Sequence, residues 1–257
     1  TNFFLGNYNG YIQYLLITLV SGFAYQVQTY KRTNFWWWSV FFIGFIFYAQ
    51  KSSANSCGGL LLIFIYSLFF NRPVTRPFMN LKFYTAANLL FFFLFVYSSD
   101  NNVVLAPILR LVNKDLTFTG RTLIWEKVIN IFSTSPLIGI GLQNNENMAE
   151  RIGMTQAVHA HNLYLNILLT SGILGFLLIV ILFLYTAYKI SHIQIPKLRY
   201  FIETVLGVLM FMAQFEAYSM KFVLFLLMFF CLCSDLYNRG QYLKSEGHQC
   251  ENKGNHI

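Results

Sequence analysis

The stretch LYLNILLTSGILGFLLIVILFLYTAYK, residues 163–189, decides the fold. It carries no charge until Lys189. A hydrocarbon layer of about 30 Å asks for only about 20 residues of helix. In lipid every backbone N–H and C=O must be paired within the structure, so an open-ended apolar segment of this length is read as a membrane-spanning helix. Working outward, six further apolar segments satisfy the same reading, at 11–30, 35–50, 57–70, 83–98, 200–218 and 222–237. The second and third are short enough to be tilted, bent or sheltered by neighbours.

Composition points the same way. Of 257 residues, 56% are hydrophobic, 19% aromatic and only 11% charged, and the mean hydropathy is +0.51. Soluble domains are about a quarter charged. A cytosolic enzyme, a disulfide scaffold and a disordered chain are therefore excluded, and the fold class is all-α: a polytopic helical membrane protein of about seven spans.

Charge placement orients the spans. One side collects eleven cations (Lys31, Arg32, Arg72, Arg76, Lys82, Lys189, Lys197, Arg199, Arg239, Lys244 and Lys253) and the other only Lys51 and Lys221 in short loops. Between spans four and five lies a long loop whose cations (Arg110, Lys114, Arg121, Lys127, Arg151) are matched by acids (Asp100, Asp115, Glu126, Glu146, Glu150). Cations of short loops mark the cytoplasmic side, and long loops count for little. Four segments follow: spans one to four over 1–98, an extracytoplasmic loop over 99–162, spans five to seven over 163–237, and a cytoplasmic tail over 238–257. Trp36, Trp37 and Trp38 suit an interfacial belt. The net charge of +8 is then topological, and nucleic acid is not expected as a partner. Cys57, Cys231, Cys233 and Cys250 avoid the outer loop and read as free thiols. The chain begins at Thr1 with no signal-peptide pattern, and an N-terminal half is expected to precede it.

The outer loop holds the polar chemistry. Arg121, Trp125, Val128 or Ile129, and Phe132 recur at helical spacing, with Thr119 as N-cap and Pro136 as terminator. This predicts a short amphipathic helix on the outer leaflet, with Arg121 on its apolar side. There a guanidinium either binds phosphate bidentately or snorkels to ordinary headgroups. His159 and His161 form H-A-H before span five. They carry no third metal ligand nearby in the sequence, so no metal is expected. His161, at a helix N-terminus whose dipole disfavours the imidazolium, reads as a neutral proton acceptor or as an idle interfacial histidine. P-L-I-G-I-G-L (136–142) is a tight turn bringing backbone close to something, without the Gly-Lys-Ser/Thr of a phosphate loop. Gly172 and Gly175 suggest close helix packing. Glu203 is expected to pair with Arg199. Glu216, near the outer end of span six, is a candidate site carboxylate or a partner of Lys221.

In order along the chain stand T-G-R-x-x-x-W (Thr119, Gly120, Arg121, Trp125), P-L-I-G-I-G (136–141), H-x-H-N-x-x-L (His159, His161, Asn162, Leu165) and G-I-L-G (172–175), with G-N-x-N at 6–9 upstream. This succession resembles the O-antigen ligase and O-antigen or capsular polysaccharide polymerase family of bacterial membrane glycosyltransferases. The resemblance implies a GT-C-like fold in the plasma membrane and a metal-independent transfer. The partners implied are a polyprenyl (undecaprenyl) diphosphate-linked oligosaccharide donor, membrane lipids and other polysaccharide-assembly proteins. It further implies that His161 is the catalytic base and that Arg121 binds the diphosphate. Lys51 stands in for a second arginine missing from the Lys51-Ser52-Ser53 stretch. His159, Asn162 and Glu216 complete the expected substrate-binding set. Polymerisation of repeat units in capsule or exopolysaccharide synthesis is the first reading and ligation to a different acceptor the second. A flippase for lipid-linked glycans is the alternative of another class, disfavoured because the polar residues gather in one outer loop rather than along several spans.

Overall fold

The computed structural model describes residues 11–30, 33–51, 53–69, 80–97, 121–154, 158–218 and 220–254. The described residues are helical, with no strand. In chain order they form α1 (Tyr11–Tyr30), α2 (Phe35–Gln50), α3 (Ala54–Phe69) and α4 (Leu81–Phe91), which runs into a π-helical turn Phe92–Tyr97. After residues 98–120 come α5 (Arg121–Phe132), α6 (Asn145–Ile152), α7 (Leu163–Ser191), α8 (Pro196–Met212) and α9 (Met220–Gly254). The G-N-x-N element, Thr119 and Gly120 lie outside the described residues.

Helices stand at all seven places where spans are expected. Two of them, Leu163–Ser191 at mean hydropathy 2.9 and Met220–Tyr237 at 1.9, are long and apolar enough to cross a membrane. Apolar helices at Phe35–Gln50, Ala54–Tyr66 and Leu81–Leu94 are shorter. The segment after Tyr237, expected only as a tail, continues α9 as helix to Gly254.

Local chemistry sets the boundaries. Asn34 caps α2 by accepting from Trp37 N; its side-chain oxygen also accepts from the Gln26 amide nitrogen of α1, and its backbone N donates to the Gln26 amide oxygen. Asn80, Asn144 and Asn162 cap α4, α6 and α7 in the same manner, each satisfying one of the orphan N–H groups of a first turn. Pro196, which has no N–H to lose, opens α8.

Helix α8 is the axis of the bundle. Residues 201–209 are buried without interruption, and α1, α3, α4 and α7 pack around it. Phe201 stacks on Phe23 at 4.0 Å between ring centroids, and Tyr84 bonds Thr204 at 3.0 Å. Glu203, buried in this core, pairs with Arg199 at 3.9 Å and accepts from Leu81 N, the structural role expected of it. The Trp belt needs correction. Trp36 is exposed, but Trp37 is buried and donates to the Leu19 carbonyl at 2.9 Å, because its register on α2 faces α1.

Helix α5 also departs from expectation. Its apolar stripe packs on protein: Ile124, Trp125 and Val128 are buried against Leu165 and Leu169 of α7. Trp125 is fully buried and donates to the Ala160 carbonyl at 3.0 Å, so an apolar stripe that sequence alone assigned to lipid is a protein interface.

Helix α7 contains a break. At Gly172 the backbone takes φ 64°, ψ −167°, a region essentially reserved for glycine. The groups freed by the break are taken up by the loop 136–141. Ile140 N and Gly141 N donate to the Leu169 and Thr170 carbonyls at 2.8 and 3.0 Å, while Ile173 N and Leu174 N donate to the Pro136 and Leu137 carbonyls at 2.8 and 3.1 Å. A Cβ on Gly172 would stand 2.3 Å from Leu137 O, and one on Gly139 2.6 Å from Ser171 N. The P-L-I-G-I-G and G-I-L-G stretches are thus two halves of one backbone-to-backbone junction. The close approach expected at Gly172 is to a loop, not to a helix.

Candidate active site

The site is assembled around the unwound end of α8. From Ala213 to Tyr218 the chain leaves the helix, and its freed carbonyls collect donors from three other elements. Asn55 of α3 donates to Met212 O at 3.0 Å and to the Tyr218 hydroxyl at 3.3 Å. Asn162 donates to Gln214 O at 3.0 Å and Leu163 N to Ala213 O at 2.8 Å. Arg121, at the start of α5, donates to Phe215 O. One irregular turn thereby fixes the beginnings of α3, α5 and α7 relative to one another.

Arg121, His159, His161 and Glu216 converge here. One ligand atom each of His159, His161 and Glu216 lies within 4.8 Å of the other two. The two imidazole centroids are 4.1 Å apart with planes inclined by 57°. His161 N donates to His159 Nδ1 at 3.1 Å, which places the proton of neutral His159 on Nε2. His161 adopts φ 48°, the left-handed region, a conformation that costs a non-glycine residue roughly 1–2 kcal/mol and that over-determined site residues tolerate. Its Nδ1 is buried without a hydrogen-bond partner.

The electrostatics follow from burial and from one cation. Burial pushes the Arg121 pKa below the ordinary guanidinium value, against the pull of the Glu216 carboxylate. His159 is lowered by burial and by the Arg121 charge. His161 is pushed down to about 4 by burial, then by His159, then by Arg121. A neutral imidazole was expected from the helix dipole. Desolvation, then His159 and Arg121, hold it neutral here, while α7 itself begins at Leu163 with Asn162 as its cap.

The other expected residues separate. Asn162 is fully buried; its Oδ1 accepts from Leu165 N at 3.1 Å while its amide nitrogen holds Gln214 O. Both ends are hydrogen-bonded inside the protein, so Asn162 clamps the start of α7 to the turn that follows α8. Lys51 is exposed at the C-cap of α2, four residues before Asn55 and so at the same end of the bundle. In the 136–142 turn the N–H groups of Gly139, Ile140 and Gly141 are all committed to carbonyls, so the glycine stretch serves the junction with α7. The absence of a third metal ligand also needs correction: Glu216, remote in sequence, completes a His–His–carboxylate set with spacing a divalent ion could use. Asn55, Gln214 and the Phe215 carbonyl were missed altogether. Only a polar residue in an apolar run marked the two side chains, and nothing in the sequence marks a carbonyl.

A protein-family model described as O-antigen ligase matches residues 37–180. The exopolysaccharide production protein ExoQ of Rhizobium meliloti (strain 1021) is 34% identical over 82 residues, which cover 28% of this chain and 19% of that protein. The chain therefore aligns with less than a fifth of this relative's length. No solved structure matches. Arg121, His159 and His161, with the Gly139–Gly172 junction, fall inside the matched residues. Glu216 and the turn that carries it fall outside them.

Proposed function

The chain belongs to the O-antigen ligase family, and from that premise we propose that it polymerises lipid-linked oligosaccharide repeat units, moving a glycan from a polyprenyl diphosphate to a sugar hydroxyl without a metal. The observation that carries the reading is the meeting of a half-buried guanidinium with a neutral, proton-accepting imidazole at one end of the bundle.

The chemistry balances with the residues at hand. His161 accepts the proton of the acceptor hydroxyl as its oxygen bonds to the anomeric carbon. The bond from that carbon to the diphosphate oxygen breaks, and the electron pair leaves with the diphosphate. Arg121 spends one N–H on Phe215 O and offers the others to the oxygens where charge develops, the preorganised donor such a step needs. Glu216 compensates the imidazolium formed at His161. A base with pKa about 4 is weak at neutral pH. Arrival of the doubly anionic diphosphate beside the imidazoles raises it, so proton affinity appears when the donor is in place. Arg121 already supplies positive charge beside the carboxylate that would serve a metal, which favours a metal-free step.

The chain is read as a seven-span plasma-membrane protein with residues 99–162 outside and the C-terminus in the cytoplasm. The cation asymmetry and the helices at all seven places support this. The name of the Rhizobium relative, which records exopolysaccharide production, favours polymer growth over ligation.

The test is incubation of the reconstituted protein with purified lipid-diphosphate repeat units. A ladder of lipid-linked products is expected, abolished by His161→Ala in protein that still inserts. Transfer only when a different acceptor is added identifies a ligase. Lipid movement across vesicles without chain growth identifies a flippase. Wild-type polymer from His161→Ala removes the base assignment.

A further inference from the structure

His159 has no task in the reaction above, yet three hydrogen bonds hold the backbone beside it. Trp125 Nε1 donates to Ala160 O at 3.0 Å, Ala160 N to the Asn166 side chain at 3.3 Å and His161 N to His159 Nδ1 at 3.1 Å. The last bond runs from a side-chain acceptor to the N–H two residues on, the pattern that asparagine makes in an Asx-turn. It is made with His161 at φ 48°, where a non-glycine residue is strained. The surrounding bonds therefore hold an arrangement that is costly for this stretch of chain by itself.

That bond fixes what the ring can do. A neutral imidazole has one lone pair and one N–H. The lone pair of His159 is spent on His161 N, so Nε2 carries the proton, and among the described residues nothing accepts from it. Burial and the Arg121 charge both lower the pKa of His159, which keeps the ring neutral. Such a ring serves neither as a base nor as a metal ligand. Either task at Nε2 needs a lone pair there, and so a proton on Nδ1 facing the His161 N–H. Either task at Nδ1 breaks the bond outright. Spacing admits a divalent ion among His159, His161 and Glu216, but the hydrogen bond withholds the lone pair. What remains to His159 is donation.

We propose that His159 is a fixed, uncharged N–H donor to the diphosphate of the lipid-linked substrate, acting through Nε2 beside Arg121. The ligand named here rests on the polyprenyl diphosphate reading above; the tautomer does not. Two anionic groups stand as acceptors, the Glu216 carboxylate and the diphosphate. Glu216 lies within reach of the cluster without taking the bond, and its charge acts on Arg121. A diphosphate presents oxygens on two phosphorus atoms, and Arg121 has already spent one N–H on Phe215 O, so a second donor has work to do. A neutral donor suits the place. A second cation would repel Arg121 in the empty site, whereas a preorganised neutral N–H adds stabilisation as charge develops on the leaving oxygen, without that repulsion.

The experiment uses NMR of the full chain in micelles, with histidine ring nitrogens isotopically labelled and farnesyl diphosphate, a short prenyl diphosphate, as the probe. His159→Asn assigns the His159 signals by their loss. It is also the functional variant, because asparagine keeps an acceptor for the N–H two residues on and places no donor where Nε2 stands. At neutral pH the wild-type His159 is expected to show an unprotonated Nδ1 and a protonated Nε2, and the probe should move the Nε2 proton downfield. His159→Asn should bind the probe roughly ten-fold or more weakly, the size of one hydrogen bond to a charged group, in protein that keeps the wild-type helix content. A proton found on Nδ1 overturns the proposal without reference to any variant. So does wild-type affinity in His159→Asn, or a cobalt(II) titration that develops histidine-ligated absorption bands lost in that variant. A wild-type chain that neither binds the probe nor grows chains removes the diphosphate reading and the ligand named here with it. Chain growth with the probe bound and the Nε2 proton unmoved removes this proposal alone.

Discussion

Substituting Gly172 by alanine tests the loop–helix junction most directly. Two routes are open to the variant, and both have a magnitude. If the backbone stays, a Cβ sits 2.3 Å from Leu137 O and 2.5 Å from Ile138 N, in a φ,ψ region whose strain alone is roughly 1–3 kcal/mol. Since the atoms met are backbone and not the end of a flexible side chain, the loop must retreat by about an ångström. The four hydrogen bonds across the junction, at 2.8–3.1 Å, do not survive that retreat. At about 1 kcal/mol net each, their loss is about 4 kcal/mol. Gly141→Ala is the matched control. It too has a positive φ, 77°, but a Cβ there meets nothing within 4 Å, so only the left-handed cost of roughly 1–2 kcal/mol applies. The assay is reversible unfolding in mixed micelles titrated with sodium dodecyl sulfate, run on both variants beside wild type. Gly172→Ala should lose about 3 kcal/mol more than Gly141→Ala, by the bond and strain magnitudes above. If the two lose the same, or if Gly172→Ala lies within about 0.5 kcal/mol of wild type, as an unremarkable surface change would, the steric argument is refuted.

Arg121→Lys keeps the charge but not the planar fork, and should lose most transfer activity in the chain-growth assay; near-normal growth would return Arg121 to a headgroup anchor. The His161 imidazole, held at about 4, should titrate in NMR well below an ordinary histidine. Because its folded pKa lies under the unfolded value, the unfolded chain binds more protons between about pH 6.5 and 4. The stability it contributes is therefore present above pH 6.5 and lost as pH falls towards 4. Arg121→Gln removes one of the depressing charges, so the His161 titration should move upward; an unchanged titration would show that Arg121 does not act on it. Asn162→Ala removes the α7 cap, worth roughly 0.5–2 kcal/mol, and unpairs the buried Gln214 carbonyl, at a further 1–3 kcal/mol or so. It should lower stability in the same micelle titration more than activity per folded molecule. Transfer should persist in excess chelator; loss of turnover restored by a divalent ion would make His159, His161 and Glu216 a metal site.

Much of the architecture was legible because hydropathy acts over contiguous residues. The limits of α1 and α2 at 11–30 and 35–50, the start of α7 after Asn162 and the helix beginning at Arg121 all follow from apolar length and 3.6-residue periodicity. Arg121 and His161 were legible because charge and imidazole stand out against an apolar background. What an apolar stripe faces is another matter: Trp125 reads equally well as lipid-facing or protein-facing, and its burial against α7 depends on residues forty positions away.

The sequence by itself determined that the chain is helical, that it belongs in a membrane and which ionisable residues stand out in the segment before α7, because these depend on local composition and spacing. Only the tertiary structure decided that Glu216 joins the two histidines, that Asn162 turns inward as a clamp and that Gly139 and Gly172 seat two stretches of backbone on each other. The physical reason is that those arrangements rest on carbonyls and N–H groups freed where α7 breaks and α8 unwinds. Every residue carries such groups, so no side-chain pattern announces where they will be left to be satisfied across the fold.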